Sequence, residues 1–185
     1  MLQKTILSWY EEKGRKLPWR ETTDPYKILV SEMMLQQTQV DRVIPKYHAF
    51  LKRFPTVKDL TEAPPGEVLQ YWSGLGYNRR ALYLQRCAQE LVKQKNFPEN
   101  VEELQKLPGL GPYTTAAVLS FALNKDVIVV DVNISILYKR IFYPRTDIEK
   151  IAHNTRKDIE QKIGKSLVSK GNYLDLKKKK SLEQK

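Results

Sequence analysis

The sequence contains a single cysteine, Cys87, among its 185 residues. One thiol cannot close an intrachain disulfide or form a cysteine-based zinc or iron–sulfur site within this chain. Because Cys87 lies in a stretch with helical periodicity, we expect a small buried residue rather than a reactive thiol. No apolar run reaches the roughly 18 residues of a membrane span, and the start MLQKTILSWYEEKG lacks the apolar core of a secretion signal. We therefore expect no membrane partner and a soluble, cytoplasmic protein.

Acidic residues are scarce relative to basic ones, so the net charge is +11 and the sequence pI is near 9.6. Such a balance favours a polyanionic partner. Residues 162–185 hold eight lysines against two acidic residues, which places +6 of the charge there and +5 in residues 1–161. A lysine run such as 177–180 is usually a solvated chain end. We predict that 164–185 is a lysine-rich, disordered tail.

Apolar residues recur mostly at helical spacing, and the sequence predicts an all-α fold without internal repeats. Asp24 and Asp131 are expected to be N-caps, with Pro25 at a first helical position. Residues 127–130 are β-branched, but a lone short strand has no partner, so we expect a buried connector. The predicted helices cover 1–13, Pro25 through Met34, 40–54, Pro65 through Trp72, 78–95, 101–107, 112–123, Val132 through Ile141, and 148–163.

Two glycines bracket one apolar residue in the segment Leu107-Pro108-Gly109-Leu110-Gly111, between two predicted helices. Glycine lets the backbone turn tightly and expose its N–H groups, which suit a phosphate together with the positive end of the following helix. Leu107 and Leu110 would anchor this hairpin in the core. The alternative is an ordinary corner between helices. As a phosphate site, the hairpin would bind the DNA backbone and read no base sequence.

Longer motifs carry a family resemblance. The hairpin motif, followed about twenty residues later by an Asp-containing segment, resembles the HhH-GPD superfamily of DNA glycosylases. The segment around Glu32 is the most diagnostic part, and it resembles the MutY-type adenine DNA glycosylases. The similarity covers about residues 1–145. The matching motifs are Leu17-Pro18-Trp19-Arg20, Asp24-Pro25-Tyr26-Lys27, residues 31–40 (SEMMLQQTQV), Gly74-Leu75-Gly76-Tyr77, residues 107–114 (LPGLGPYT) and Val130-Asp131-Val132-Asn133.

This resemblance implies an all-α, two-lobed fold that binds double-stranded DNA across the cleft between its lobes. Residues 1–163 would form the catalytic core, in which a six-helix lobe of about 26–130 is flanked by second-lobe elements from 1–25 and 131–163. The family excises adenine paired with 8-oxoguanine or guanine in base excision repair. We therefore expect a nucleoid-associated monomer whose partner is DNA with a mispaired or oxidised base.

Cleaving an N-glycosidic bond creates positive charge on the sugar and negative charge on the departing base. An acid at the base and a carboxylate near the sugar address both charges. Glu32 lies among apolar residues of a predicted helix, which should raise its pKa as a general acid requires; the alternative is a surface glutamate. By resemblance, Asp131 stabilises the sugar cation, and this role can coexist with helix capping because its second oxygen stays available.

The resemblance also assigns residues to the flipped base and to the DNA backbone. Gln36 and Gln37 resemble the family's pair near the lesion, and Tyr77 resembles its wedge beside the oxidised guanine. The alternative for Trp19 and Leu35 is that they are core residues. The alternative for Tyr77 is that it is an ordinary aromatic residue of a loop. Arg79 and Arg80 are candidate phosphate contacts, beside Leu107, Gly109 and Gly111 of the hairpin. The full set of base-handling candidates is Trp19, Arg20, Leu35, Gln36, Gln37, Thr38, Tyr77, Tyr113 and Asn133.

Tyr113 lies where bifunctional relatives carry a lysine that attacks the sugar. A phenol cannot form that Schiff base, so we expect a monofunctional enzyme. Tyrosine at this position also suits thymine–guanine mismatch glycosylases, which stay an alternative. The family usually continues into four cysteines that bind a [4Fe–4S] cluster and then into a domain that reads 8-oxoguanine. Because those cysteines are absent, we expect no cofactor or metal in this chain and a truncated product, with an inactive DNA-binding remnant as the second alternative.

Overall fold

The computed structural model describes residues 2–142, and every regular element in this range is a helix. The predicted all-α fold is confirmed for this part of the chain. The predicted helix 148–163 and the lysine-rich tail 164–185 lie outside the described residues. The helices are α1 (Leu2–Lys13), α2 (Pro25–Leu35), α3 (Val40–Arg53), α4 (Val57–Glu62), α5 (Pro65–Trp72), α6 (Arg79–Val92), α7 (Val101–Gln105), α8 (Pro112–Phe121) and α9 (Val132–Phe142), with a 3-10 turn over Pro18–Arg20.

Backbone contacts divide the chain into two units. The larger unit spans Leu17–Leu123, and the smaller contains residues 2–16 and 124–142 among those described. The larger unit therefore begins before the predicted lobe boundary at 26 and ends before that at 130. It holds α2 through α8. The assignment of the remaining residues to a second lobe stays a prediction.

Helix starts follow their capping residues. Asp24 Oδ1 accepts hydrogen bonds from the backbone N–H of Tyr26 at 2.9 Å and of Lys27 at 3.4 Å, with Pro25 in the first turn. Helix α4 is missing from the sequence prediction, although Thr56 and Asp59 form a reciprocal capping box that starts it. Threonine followed three residues later by a carboxylate is a readable signal. Six residues are too few for apolar periodicity to indicate a helix.

The core of the larger unit is built around α2, whose side chains from Ile28 through Met34 are all buried. Helices α3, α6 and α8 pack against it. Aromatic rings fill one end of this core, with the ring centroid of Phe50 4.9 Å from that of Phe54 and 6.1 Å from that of Trp72. Cys87 is fully buried in α6, as predicted. Because α2 is surrounded on all sides, a polar side chain in its middle is removed from water.

The smaller unit leaves large apolar side chains exposed on both of its described helices. Residues 127–130 form no strand, as predicted, but they are half-buried rather than buried, so the prediction of a buried connector was wrong in that respect. No helix within residues 2–142 has the length and apolar character needed to cross a membrane. The exposed apolar residues are Ile6, Leu7 and Trp9 on α1, and Val132, Ile134, Leu137 and Ile141 on α9.

Candidate active site

Glu32 lies in the middle of α2 and is only 5% exposed. Burial raises the pKa of its carboxyl from 4.5 to about 7, and a hydrogen bond from the Tyr113 side chain opposes part of that rise. A carboxyl group in an apolar surrounding keeps its proton more readily, because the charged form loses its hydration. The predicted apolar setting and raised pKa of Glu32 are confirmed, and the alternative of a surface glutamate is excluded.

A polar network ties this end of α2 to α8. The Gln36 side-chain amide donates to Thr114 Oγ1 at 3.3 Å, one helical turn beyond Glu32. Thr114 is buried, whereas its neighbour Tyr113 is 37% exposed and also reaches Glu32. The first turn of α8 therefore holds one residue against the carboxyl group and another against Gln36. Sequence reasoning missed Thr114, which adjoins Tyr113 in the same motif.

The hairpin lies between α7 and α8, and its two glycines have different environments. Gly109 has a φ of 82°, and a Cβ there would lie 2.8 Å from Tyr83 Cβ and 3.0 Å from Met33 Cε. Gly111 immediately precedes α8, and a Cβ there would meet nothing within 4 Å. Gly109 thus allows the turn and the packing on α6 and α2, while Gly111 borders open space at the positive end of α8. Leu107 and Leu110 are buried beneath the hairpin, as predicted.

Arg79 and Arg80 were predicted together, but the structure separates them. Arg79 is exposed at the start of α6. Arg80 is 8% exposed, and its guanidinium donates to five backbone carbonyls and to the Thr38 hydroxyl. A guanidinium occupied by the protein backbone is not presented to a phosphate. The phosphate contact predicted for Arg80 is therefore wrong on grounds of burial, and Arg79 stays a candidate.

Gln37 and Tyr77 are exposed and share an unusual backbone conformation. Their φ angles are 53° and 47°, in the left-handed region that residues other than glycine rarely adopt. Between the two segments, Thr38 Oγ1 lies 3.2 Å from the Gln36 carbonyl and 3.3 Å from that of Leu75. The Thr38 hydroxyl thus forms hydrogen bonds with backbone carbonyls of the protein, while the side chains of Gln37 and Tyr77 are exposed to solvent.

The remaining candidates of the larger unit are less exposed. Trp19 is buried edge-on against Tyr47, with their ring centroids 5.4 Å apart, which agrees with its alternative as a core residue. Arg20 is half-buried at the end of the 3-10 turn. Leu35, the last residue of α2, is also half-buried, so it belongs only partly to the core.

Asp131 belongs to the smaller unit and caps α9, as predicted. Its Oδ1 accepts a hydrogen bond from the backbone N–H of Ile134 at 2.6 Å. Asn133 Nδ2 donates to the other oxygen, Oδ2, at 3.4 Å. The second oxygen is therefore not entirely free, but this contact is long and the side chain is only half-buried.

The apolar periodicity of α6 could have identified the inward position of Arg80. Arg80, Leu84, Ala88 and Leu91 recur at intervals of three to four residues and all lie on the buried side of the helix. A basic residue on an apolar stripe is expected to point inward and to find acceptors there. A phosphate contact had instead been predicted from the sequence, because Arg80 follows the glycine turn formed by Gly74 through Tyr77.

A family model described as HhH-GPD superfamily base excision DNA repair protein matches residues 30–166. The chain belongs to the HhH-GPD superfamily. It is also 41% identical to the adenine DNA glycosylase of Buchnera aphidicola subsp. Baizongia pistaciae over 94% of its own length and 53% of that protein. This HhH-GPD chain spans about half the length of the curated relatives it matches.

Two solved structures share the fold formed by these helices. A thermostable thymine-DNA glycosylase superposes with a TM-score of 0.77 at 30% identity, over 90% of this chain and 76% of the other. Endonuclease III in a trapped covalent complex with DNA superposes with a TM-score of 0.74 at 21% identity, over 90% of this chain and 78% of that one. The HhH-GPD fold predicted from the sequence is thereby confirmed.

The residues of this chain do not fit the [4Fe–4S] cluster that the family resemblance implies. Such a cluster needs four thiolates, and the sequence has one cysteine. Cys87 is fully buried among apolar neighbours, and burial raises the pKa of its thiol to about 12. No group of side chains suited to a metal occurs among residues 2–142. No step of the proposed chemistry runs through a cluster.

Proposed function

We propose that this chain is a monofunctional DNA glycosylase that hydrolyses the N-glycosidic bond of adenine paired with 8-oxoguanine or guanine in double-stranded DNA. The observation that carries the proposal is Glu32, an acid with a pKa of about 7 enclosed in α2 and hydrogen-bonded by Tyr113 from the first turn after the hairpin. The curated relatives named adenine DNA glycosylase support the choice of base. A base reaches a buried acid of this kind only after leaving the duplex.

In the proposed reaction, protonated Glu32 donates its proton to the departing base, and the C1′–N bond breaks. The Asp131 carboxylate stabilises the positive charge that develops on the sugar, and water then adds at C1′ to leave an abasic site. The proton released by that water returns to solvent or to a carboxylate. Tyr113 contributes a hydrogen bond rather than an amine, so no Schiff base forms.

The DNA backbone would be bound at the hairpin, where Gly111 and the N-terminus of α8 suit a phosphate. Arg79 would contribute a further phosphate contact. Gln37 and Tyr77 would handle the mispair, because their side chains are exposed at adjoining connections. We propose that the protein acts as a monomer and needs neither metal nor cluster for base release.

Duplexes containing A opposite 8-oxoguanine, A opposite G, and T opposite G test the substrate, with alkali revealing abasic sites. We expect cleavage of both adenine duplexes. Glu32→Gln should lower single-turnover base release by about 10²- to 10⁴-fold and leave duplex affinity largely unchanged. Glu62→Gln, an exposed glutamate on α4, is the matched control. Full activity of Glu32→Gln would exclude it as the acid.

The pH profile gives an independent test of the same role. A general acid works only while it holds its proton, so base release should fall as pH rises above about 7, the pKa of Glu32. Borohydride should trap no covalent adduct at any pH. A trapped adduct would contradict the monofunctional reaction.

Thymine opposite guanine is a second candidate substrate, favoured by the 30% identity to a thymine-DNA glycosylase. Cleavage of the T–G duplex alone would select this function over the adenine reaction. Binding without cleavage of any duplex would identify a DNA-binding remnant.

A further inference from the structure

Two strained residues flank the surface that would face DNA. Gln37 follows the end of α2 by two residues, and Tyr77 precedes α6 by two. Both adopt positive φ, and Tyr77 is 65% exposed. Backbone strain of this kind persists only where the surrounding structure fixes it. The connection between α2 and α3, which contains Gln37, and that between α5 and α6, which contains Tyr77, therefore need a group that holds their backbone in this conformation.

Arg80 is that group. Its Nη1 donates to the carbonyls of Met33 at 2.8 Å and Met34 at 3.1 Å, and also to that of Gln36. Its Nη2 donates to Thr38 Oγ1 at 3.1 Å, and to the carbonyls of Leu75 at 3.2 Å and Gly76 at 3.1 Å. One nitrogen thus serves the end of α2, and the other joins Thr38 to the glycine turn.

Two of these carbonyls have a special position. The carbonyl of Gln36 belongs to the peptide unit directly before Gln37, and that of Gly76 to the unit directly before Tyr77. The orientation of a peptide plane is coupled to the φ of the residue that follows it. Arg80 therefore holds the peptide plane next to each strained residue.

The electrostatics of Arg80 agree with a positioning role. It forms no salt bridge with a carboxylate among residues 2–142. The negative end of α2 and the other carbonyls compensate its charge instead. Its guanidinium also lies 5.5 Å from the ring centroids of both Trp72 and Tyr77. A lysine has one nitrogen and cannot reach both connections in this planar geometry.

We propose that Arg80 is a positioning residue that sets the backbone of Gln37 and Tyr77 from behind, and thereby the geometry with which these side chains meet the mispair. It does so without touching DNA. The inference rests on the proposed function for its catalytic consequence, but the placement of Arg80 can be tested without any reaction.

Hydrogen exchange tests the placement. In Arg80→Lys, exchange in peptides covering 35–39 and 73–78 should rise at least tenfold, while exchange in α8 changes less than twofold. Arg86→Lys, an exposed arginine on the same helix, is the matched control and should change neither. A uniform rise across the unit would show general loss of stability and overturn the proposal, as would no rise at the two connections.

A double-mutant cycle tests the consequence for base release. Arg80→Lys should slow single-turnover base release at least tenfold in the otherwise unaltered protein. In a Gln37→Ala/Tyr77→Ala background the same change should cost less than threefold, because the residues through which it acts are gone. Equal losses in both backgrounds would overturn the proposal. If the unaltered protein releases no base, the proposed function fails, while the exchange pattern still decides the placement of Arg80.

Discussion

The two carboxylates proposed to act on the substrate lie in regions of opposite character. Glu32 belongs to the larger unit, is 5% exposed, and owes its pKa of about 7 to burial. Asp131 belongs to the smaller unit, is half-buried, and is fixed by capping α9. A shifted pKa requires a core, whereas a fixed position requires only backbone hydrogen bonds. In the proposed reaction, the first region supplies proton donation and the second supplies charge stabilisation.

The largest expected effect concerns the pH dependence of stability. The unfolded chain ionises Glu32 near pH 4.5, but the folded chain does so only near 7, so folding is favoured below 4.5 and progressively less as pH rises to 7. The difference corresponds to about 3 kcal/mol. Glu32→Gln removes this pH dependence, so the unfolding free energy of the variant relative to the unaltered protein should increase as pH rises from 4.5 to about 7. Urea unfolding across that range measures it, and parallel curves for the two proteins would contradict it.

The hairpin glycines should differ when each is replaced by alanine. Gly109→Ala places a Cβ against Tyr83 and Met33 at a positive φ, and should cost about 2–3 kcal/mol of unfolding free energy. Gly111→Ala meets open space and should cost less than about 1 kcal/mol, while weakening duplex binding. Urea unfolding and binding titrations check the pair. Equal stability losses would contradict the assignment of Gly109 to packing and of Gly111 to phosphate binding.

Asp131 tests the smaller unit. Asp131→Ala removes the cap of α9 and should cost about 1 kcal/mol, whereas Asp131→Asn keeps a capping oxygen and should cost only a few tenths. Both variants lose the carboxylate and should slow base release. Thermal unfolding compared with single-turnover rates separates the two effects. Asp131→Asn with full activity would remove it from the mechanism.

The smallest effect is expected on the exposed face of α9. Leu137 is 54% exposed, so Leu137→Gln should change the unfolding free energy by less than about 0.5 kcal/mol. The same substitution at Leu119, buried in α8, should cost several times more. A large loss for Leu137→Gln would mean that this face is covered in solution.

Local signals predicted much of this molecule from the sequence. The N-caps at Asp24 and Asp131 and the buried hairpin leucines follow from spacing and residue type within a few positions. The raised pKa of Glu32 follows from its apolar neighbours. The role of Arg80 was wrongly predicted, because most of its acceptors, from Met33 to Thr38, lie on a segment distant in sequence. Helix α4 was missed because its six residues are too few to show apolar periodicity, although the capping box of Thr56 and Asp59 was readable.

The packing of Gly109 against Met33 has one more consequence. A Cβ at Gly109 would lie 3.0 Å from Met33 Cε, and Met33 adjoins Glu32, so the hairpin packs against a side chain of the helix that carries the acid. In the proposed function, the phosphate site and the proton donor are therefore separated by one layer of side-chain packing.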